Sequence, residues 1–133
     1  MPKVIIQSSQ APVTGFTTGK PSPLAQAIRA GDFIYVSGQG PLDPVTRQVV
    51  SEDVREQARA VLANIRTVLE AGGASIAHIV NVRVSLRDTA DFAAFNEVFT
   101  EWVDGEKVTR TCVGALPHRA GVKVEVDCVA YLG

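Results

Sequence analysis

The chain has 133 residues, with 13 Lys+Arg against 14 Asp+Glu and 46% hydrophobic residues. That length suits a single domain spanning residues 1–133, able to bury roughly two thirds of its unfolded surface without a disulfide or metal staple. A formal net charge of -1 disfavours RNA or DNA as the main partner, because neutralising phosphates takes clustered Lys/Arg.

No stretch approaches the roughly 20 apolar residues of a membrane span, and the N-terminal MPKVIIQSSQAP lacks a signal-peptide core, so no membrane partner and a cytoplasmic location are expected. Cys112 and Cys128 form no C-x-x-C or His/Cys cluster, so neither a metal site nor a redox pair is expected.

Val4 to Gln7 reads as a short strand, followed by a Gly/Thr/Pro/Ser-rich loop from Ser8 to Pro23. Gln26 to Ala30 and Phe33 to Ser37 flank Gly31-Asp32, a two-residue connection that predicts a β-hairpin. Gly38 to Arg47 is an irregular connection leading to Val49-Val50. From Ser51 the period changes. Val54, Ala58, Val61, Leu62, Ile65, Val68 and Leu69 form the stripe of an amphipathic helix, capped by Ser51 or Asp53 and ended at Gly72-Gly73.

Ile79 to Arg87 alternates as a half-covered strand, with Val80, Val82, Val84 and Leu86 on one face and Asn81, Arg83, Ser85 and Arg87 on the other. A second helix starts at Asp88 or Thr89 and runs to about Asp104, burying Phe92, Phe95, Phe99, Trp102 and Val103, with Gly105 closing it. Val108 to Ala115 and Val122 to Leu132 then read as two strands joined by a hairpin through Leu116 to Gly121.

The order predicts an α+β domain with two helices on one face of a mixed sheet. The other face, with Phe33, Tyr35, Arg83, Cys112, Val129 and Tyr131, is left uncovered. A bare aromatic face of that kind predicts self-association.

If the last two strands pair, Cys112 lies opposite Glu125 and Arg110 opposite Asp127, or Arg110 opposite Glu125 after a two-residue slip. Either register gathers a guanidinium, a thiol and a carboxylate on the uncovered face and puts Cys128 on the other. Such a cluster reads as an anion site, with Arg110 as a bidentate fork and Glu125 handling water, or as a plain cross-strand ion pair. Ser37-Gly38-Gln39-Gly40 lets backbone approach a ligand, or is simply a turn. Asn96 borders the apolar stripe, where its amide needs a partner. His78 and His118 have no Asp or Ser at motif spacing, so no triad is expected.

Four segments of the chain resemble the RidA/YjgF family: QAIRAGDFIYVSGQGPLDP, QARAVLANIRTVLEAGGAS, VNVRVSLRDTADFAAFNEVF, and TRTCV followed by VKVEVD. They span about Gln26 to Tyr131. The Arg-x-Cys-Val element with Glu thirteen residues after the Cys is the most specific of them. The resemblance implies a chorismate-mutase-like α+β fold, a homotrimer with ligand clefts between subunits, and no cofactor. It implies hydrolysis of 2-imino and enamine acids such as 2-iminopropanoate or 2-iminobutanoate to 2-keto acids and ammonia. In that pattern Arg110 grips the substrate carboxylate, Glu125 places the hydrolytic water, and Cys112, Ser37, Gly38 and Asn96 line the cleft.

Two departures stand out. Leu24 occupies the place of a cleft-lining Tyr, and Val108 that of a Pro. Beside the deaminase stand two further readings: a noncatalytic trimer that binds small carboxylates as a metabolite sensor, and a pathway-dedicated deaminase acting on a bulkier enamine of the aminomuconate or aminoacrylate type.

Overall fold

The computed structural model describes residues 2–16 and 19–133; Thr17 and Thr18, inside the predicted Ser8–Pro23 loop, lie outside the described residues. Eight elements follow one another: β1 (Val4–Ile6), β2 (Ala27–Ala30), β3 (Phe33–Gln39), α1 (Val54–Ala71), β4 (Ile79–Leu86), α2 (Phe92–Val103), β5 (Thr109–Gly114) and β6 (Val124–Tyr131). The fold is α+β, a single six-stranded sheet in the order β1-β2-β3-β6-β4-β5 with two helices.

The predicted hairpin is β2–β3, which pairs Ala30 with Phe33 across a turn where Gly31 takes φ +60°. Helix α1 starts at Asp53, whose carboxylate accepts hydrogen bonds from the backbone N–H of Arg55 and Glu56 at 2.8 and 3.0 Å. It ends where Gly73 adopts φ +81°. At Gly72 a Cβ would stand 2.7 Å from Ile6 Cδ1, so glycine there lets the helix end close against β1. The predicted stripe of α1 is buried from Ala58 to Leu69 and packs on β3 and β6.

The predicted hairpin between the last two strands does not form. Strand β4 lies between β5 and β6, running parallel to β5 and antiparallel to β6. The reason is the helix before β5: a parallel neighbour requires a crossover, and α2 supplies one between β4 and β5. Helix α1 likewise connects β3 to β4 with β6 inserted between them. Both crossovers move the same way across the sheet, so the right-handed rule puts both helices on one face. The nine residues 115–123 carry the chain back past β4, a span that reads equally well as a hairpin loop.

This topology overturns the predicted registers. Arg110 pairs with Val82 and Cys112 with Val84, while Glu125 pairs with Ser85 and Asp127 with Arg83. Paired residues share a face, and Val82 and Val84 are buried under the helices. Arg110 and Cys112 therefore belong to the helix-covered face, not to the open one. Cys128, paired with Val82, shares that face with Cys112, again contrary to expectation. The two cysteines sit two strand spacings apart, about 10 Å, beyond disulfide reach, and both are free.

The open face carries Phe33 and Tyr131, paired in register with ring centroids 5.0 Å apart, beside Tyr35. The cross-strand ion pair on this face is Arg83–Asp127 at 3.0 Å. Two bulges adjust the alternation. In β4 the extra residue is Val80, so Ile79 is buried and Val80 is 40% exposed, the reverse of the predicted order. In β3 the register shifts between Val36 and Gln39, so Ser37 and Gly38 are both exposed and Gln39 is buried. In α2 the buried residues are Phe95, Val98, Phe99 and Val103, while Phe92, expected inside, is 44% exposed. No helix among the described residues is long and apolar enough to cross a membrane.

Candidate active site

The candidate residues fall into two clusters on opposite faces of the sheet. The first sits at the β5 edge, under α2. Arg110 Nη1 donates to Asn96 Oδ1 at 2.8 Å, and the guanidinium carbon lies 4.8 Å from the Phe99 ring centroid and 5.5 Å from that of Phe92. The partner expected for the Asn96 amide is thus Arg110 itself. Phe92 and Phe99, one turn on either side of Asn96, add cation–π attraction to the planar guanidinium. One nitrogen is tied to Asn96 and the guanidinium carbon lies over the two rings, so the remaining N–H groups form a fork with a fixed direction. Sequence reading missed Phe92 as a partner of Arg110 because β5 was paired with the wrong strand.

Cys112, half-buried beside this cluster, has its thiol pKa pushed up by burial, with the charge of Arg110 opposing the shift. An activated nucleophile needs the opposite shift.

The second cluster lies on the open face. The β3 bulge turns both Ser37 and Gly38 outward, and Glu125 rests on Gly38, where a Cβ would meet Oε1 at 2.9 Å. Ser37 Oγ donates to the Ala25 carbonyl at 2.7 Å, fastening the segment that carries Leu24. Behind it the side chain of Gln26, 5% exposed, bonds Ser8, Ala11 and Pro12 backbone groups and holds the N-terminal strap against the sheet.

Two adjoining cavities, about 130 and 300 Å³, share Thr14, Leu24, Gly38, His118 and Glu125 in their linings. His118 thus lies at the rim of the site although its sequence neighbours gave no sign of it. Arg119 lines the smaller cavity.

Two further buried amides shape the surroundings and were not singled out from the sequence. Gln57 donates to the Ser51 and Gly121 carbonyls at 2.8 Å and accepts from Lys123 N, fixing the loop that carries His118 and Arg119. Asn64 donates to the Gly40 and Leu42 carbonyls at 3.1 Å. Both stand on the buried face of α1, where a polar residue on an apolar stripe signals a specific partner. Among the described residues, no group of three or more His, Cys, Asp and Glu side chains could hold a metal ion.

The division between faces has a chemical consequence. Arg110 can take a carboxylate and Glu125 can position water, but within one chain they point to opposite sides of the sheet.

The family described as Endoribonuclease L-PSP matches residues 18–132. A RutC family protein of Pyrococcus horikoshii is 40% identical over 119 residues, covering 87% of this chain and 94% of its own. Among solved structures, RidA from the Antarctic bacterium Psychrobacter sp. superimposes with a TM-score of 0.85 at 34% identity, covering 96% of this chain and 98% of its own. E. coli TdcF with bound serine gives 0.85 at 32% identity, covering 98% and 99%. From its matched residues and its fold, the chain belongs to the RidA/YjgF family, the family described as Endoribonuclease L-PSP.

Proposed function

We propose that the protein is a hydrolytic deaminase of 2-imino and enamine acids, acting as a homotrimer whose clefts join the Arg110 cluster of one copy to the Glu125 cluster of the next. The observation that carries this reading is the fork of Arg110, held by Asn96 and between Phe92 and Phe99, an arrangement suited to a small carboxylate. The exposed aromatic patch of Phe33, Tyr35 and Tyr131 supplies surface for the contact between copies. The serine bound to E. coli TdcF, an amino acid, supports a ligand of this size and polarity.

In the reaction, Arg110 holds the carboxylate of a substrate such as 2-iminopropanoate or 2-iminobutanoate. A water held by Glu125 adds to the C=N carbon, and its proton ends on nitrogen, giving a carbinolamine. The C–N bond then breaks, nitrogen leaves as ammonia and the hydroxyl becomes the carbonyl of a 2-keto acid. The imine is already electrophilic, so orientation and modest proton transfer suffice. Ser37, Gly38 and Leu24 line the Glu125 side, and Asn96 and Cys112 the Arg110 side.

The test generates 2-iminopropanoate and 2-iminobutanoate in situ with an amino-acid oxidase and compares their decay in buffer, wild type and Arg110→Ala. Faster decay with wild type alone supports the proposal; equal decay in all three sinks it. Light scattering checks the assembly, and a monomer at micromolar concentration would contradict a shared cleft.

A further inference from the structure

The smaller cavity beside Glu125 is lined by Leu24, Leu42 and Val122, and by Arg119. Arg119 is half-buried, and among the described residues it has no ion-pair partner; the arginines that do pair are Arg29, Arg55, Arg66 and Arg83. A cation withdrawn partly from water without a carboxylate carries a desolvation cost that an incoming anion relieves. The loop that bears it is not loose, since Gln57 fixes Gly121 and Lys123 on its far side.

The cavity measures about 130 Å³. A dry cavity of roughly 150 Å³ accepts benzene, six heavy atoms, so this one takes a substrate side chain of about five. Thr14, His118 and Glu125 are the cavity's other polar lining residues, and the apolar Leu24, Leu42 and Val122 together with the Arg119 cation favour a short apolar stem ending in an anion. Glu125 lines the same cavity and would repel an anion placed beside it, so the charged end must pass Glu125 and reach Arg119.

Building on the deaminase reading, we infer that this cavity receives the side chain of the imino acid, and that Arg119 is a specificity-determining residue that selects a 2-imino dicarboxylate. Arg110 of one copy then holds the carboxylate next to the imine, and Arg119 of the next holds the distal one. Leu24 takes part by making the wall apolar.

The experiment compares 2-iminoglutarate, made by oxidising glutamate, with its neutral carboxamide analogue made from glutamine. The two differ in charge and hardly in size. Wild type is expected to favour the dicarboxylate about tenfold in kcat/KM, the scale of one charge-assisted hydrogen bond. Arg119→Met should bring that ratio close to one, and Arg119→Lys should keep most of it. A ratio that is the same in wild type and Arg119→Met overturns the inference. If wild type hydrolyses no imine at all, the deaminase reading fails on its own account, and calorimetric titration with 2-oxoglutarate and 2-oxoglutaramate decides. A tenfold preference for 2-oxoglutarate that Arg119→Met abolishes upholds the distal site, whereas equal binding, or none, overturns it.

Discussion

The carboxylate of Glu125 rests on the backbone of Gly38, so close that a Cβ at position 38 would stand 2.9 Å from Oε1. The β3 bulge creates this relationship by turning Ser37 and Gly38 outward together. Bulges commonly re-aim a strand beside functional groups in this way.

Gly38→Ala is therefore expected to move the end of Glu125 rather than disturb the core. Stability should change by less than about 1 kcal/mol, because the displaced atoms end a flexible side chain. Turnover of 2-iminopropanoate should fall roughly tenfold or more, since a reacting water misplaced by an ångström is costly. Thermal melting and steady-state kinetics on the one variant check both halves; full activity would detach Glu125 from water positioning.

Phe92 stacks on Arg110 from a partly exposed position, where a cation–π contact is worth about 0.5–1 kcal/mol. Phe92→Ala should raise KM about two- to fivefold with kcat little changed, the pattern of weakened ground-state binding. Arg110→Lys keeps the charge and loses the fork, and should raise KM at least tenfold. A kcat effect without a KM effect would contradict carboxylate binding as the role of this cluster.

Gln57 satisfies two carbonyls and one N–H from inside the protein. Gln57→Leu keeps the volume and strands those groups, at about 1–3 kcal/mol for each one left without water. A fall in Tm of roughly 4 °C per kcal/mol is expected for a chain of this size. An unchanged melting curve would show that the loop finds other partners.

Cys128 is buried, and burial, aided by the neighbouring Asp127 charge, pushes its thiol pKa up to about 12. An unfolded thiol titrates near about 8.5. Between these values the unfolded chain has lost the proton that the folded chain keeps, so stability is fully present below about pH 8.5 and is lost as pH rises towards 12. This group alone should cost about 1.4 kcal/mol per pH unit in that window. Cys128→Val should flatten the alkaline fall, read as the difference between wild-type and variant denaturation at pH 8 and 10.5; parallel curves would exclude the thiol as the cause.

Local patterns in the sequence determined much of this protein. The alternation of Val82, Val84 and Leu86, the stripe of α1, the helix cap at Ser51 or Asp53, which the structure places at Asp53, and the Gly31 turn each depend on neighbours within a few residues, and each stands with the α+β class. The family resemblance also held, because it rests on short segments such as Arg-x-Cys-Val. Tertiary structure decided which strands meet. A nine-residue connection after β5 suits a hairpin as well as a passage around β4, and only the crossover through α2, together with the handedness of such units, selects the second. That choice moved Arg110 and Cys112 to the helix face, paired Asp127 with Arg83, gave Arg110 its aromatic neighbours, and brought His118 and Arg119 to the Glu125 cavity. Strand order is a long-range property that sums the packing of both helices on one sheet, and no local spacing records it.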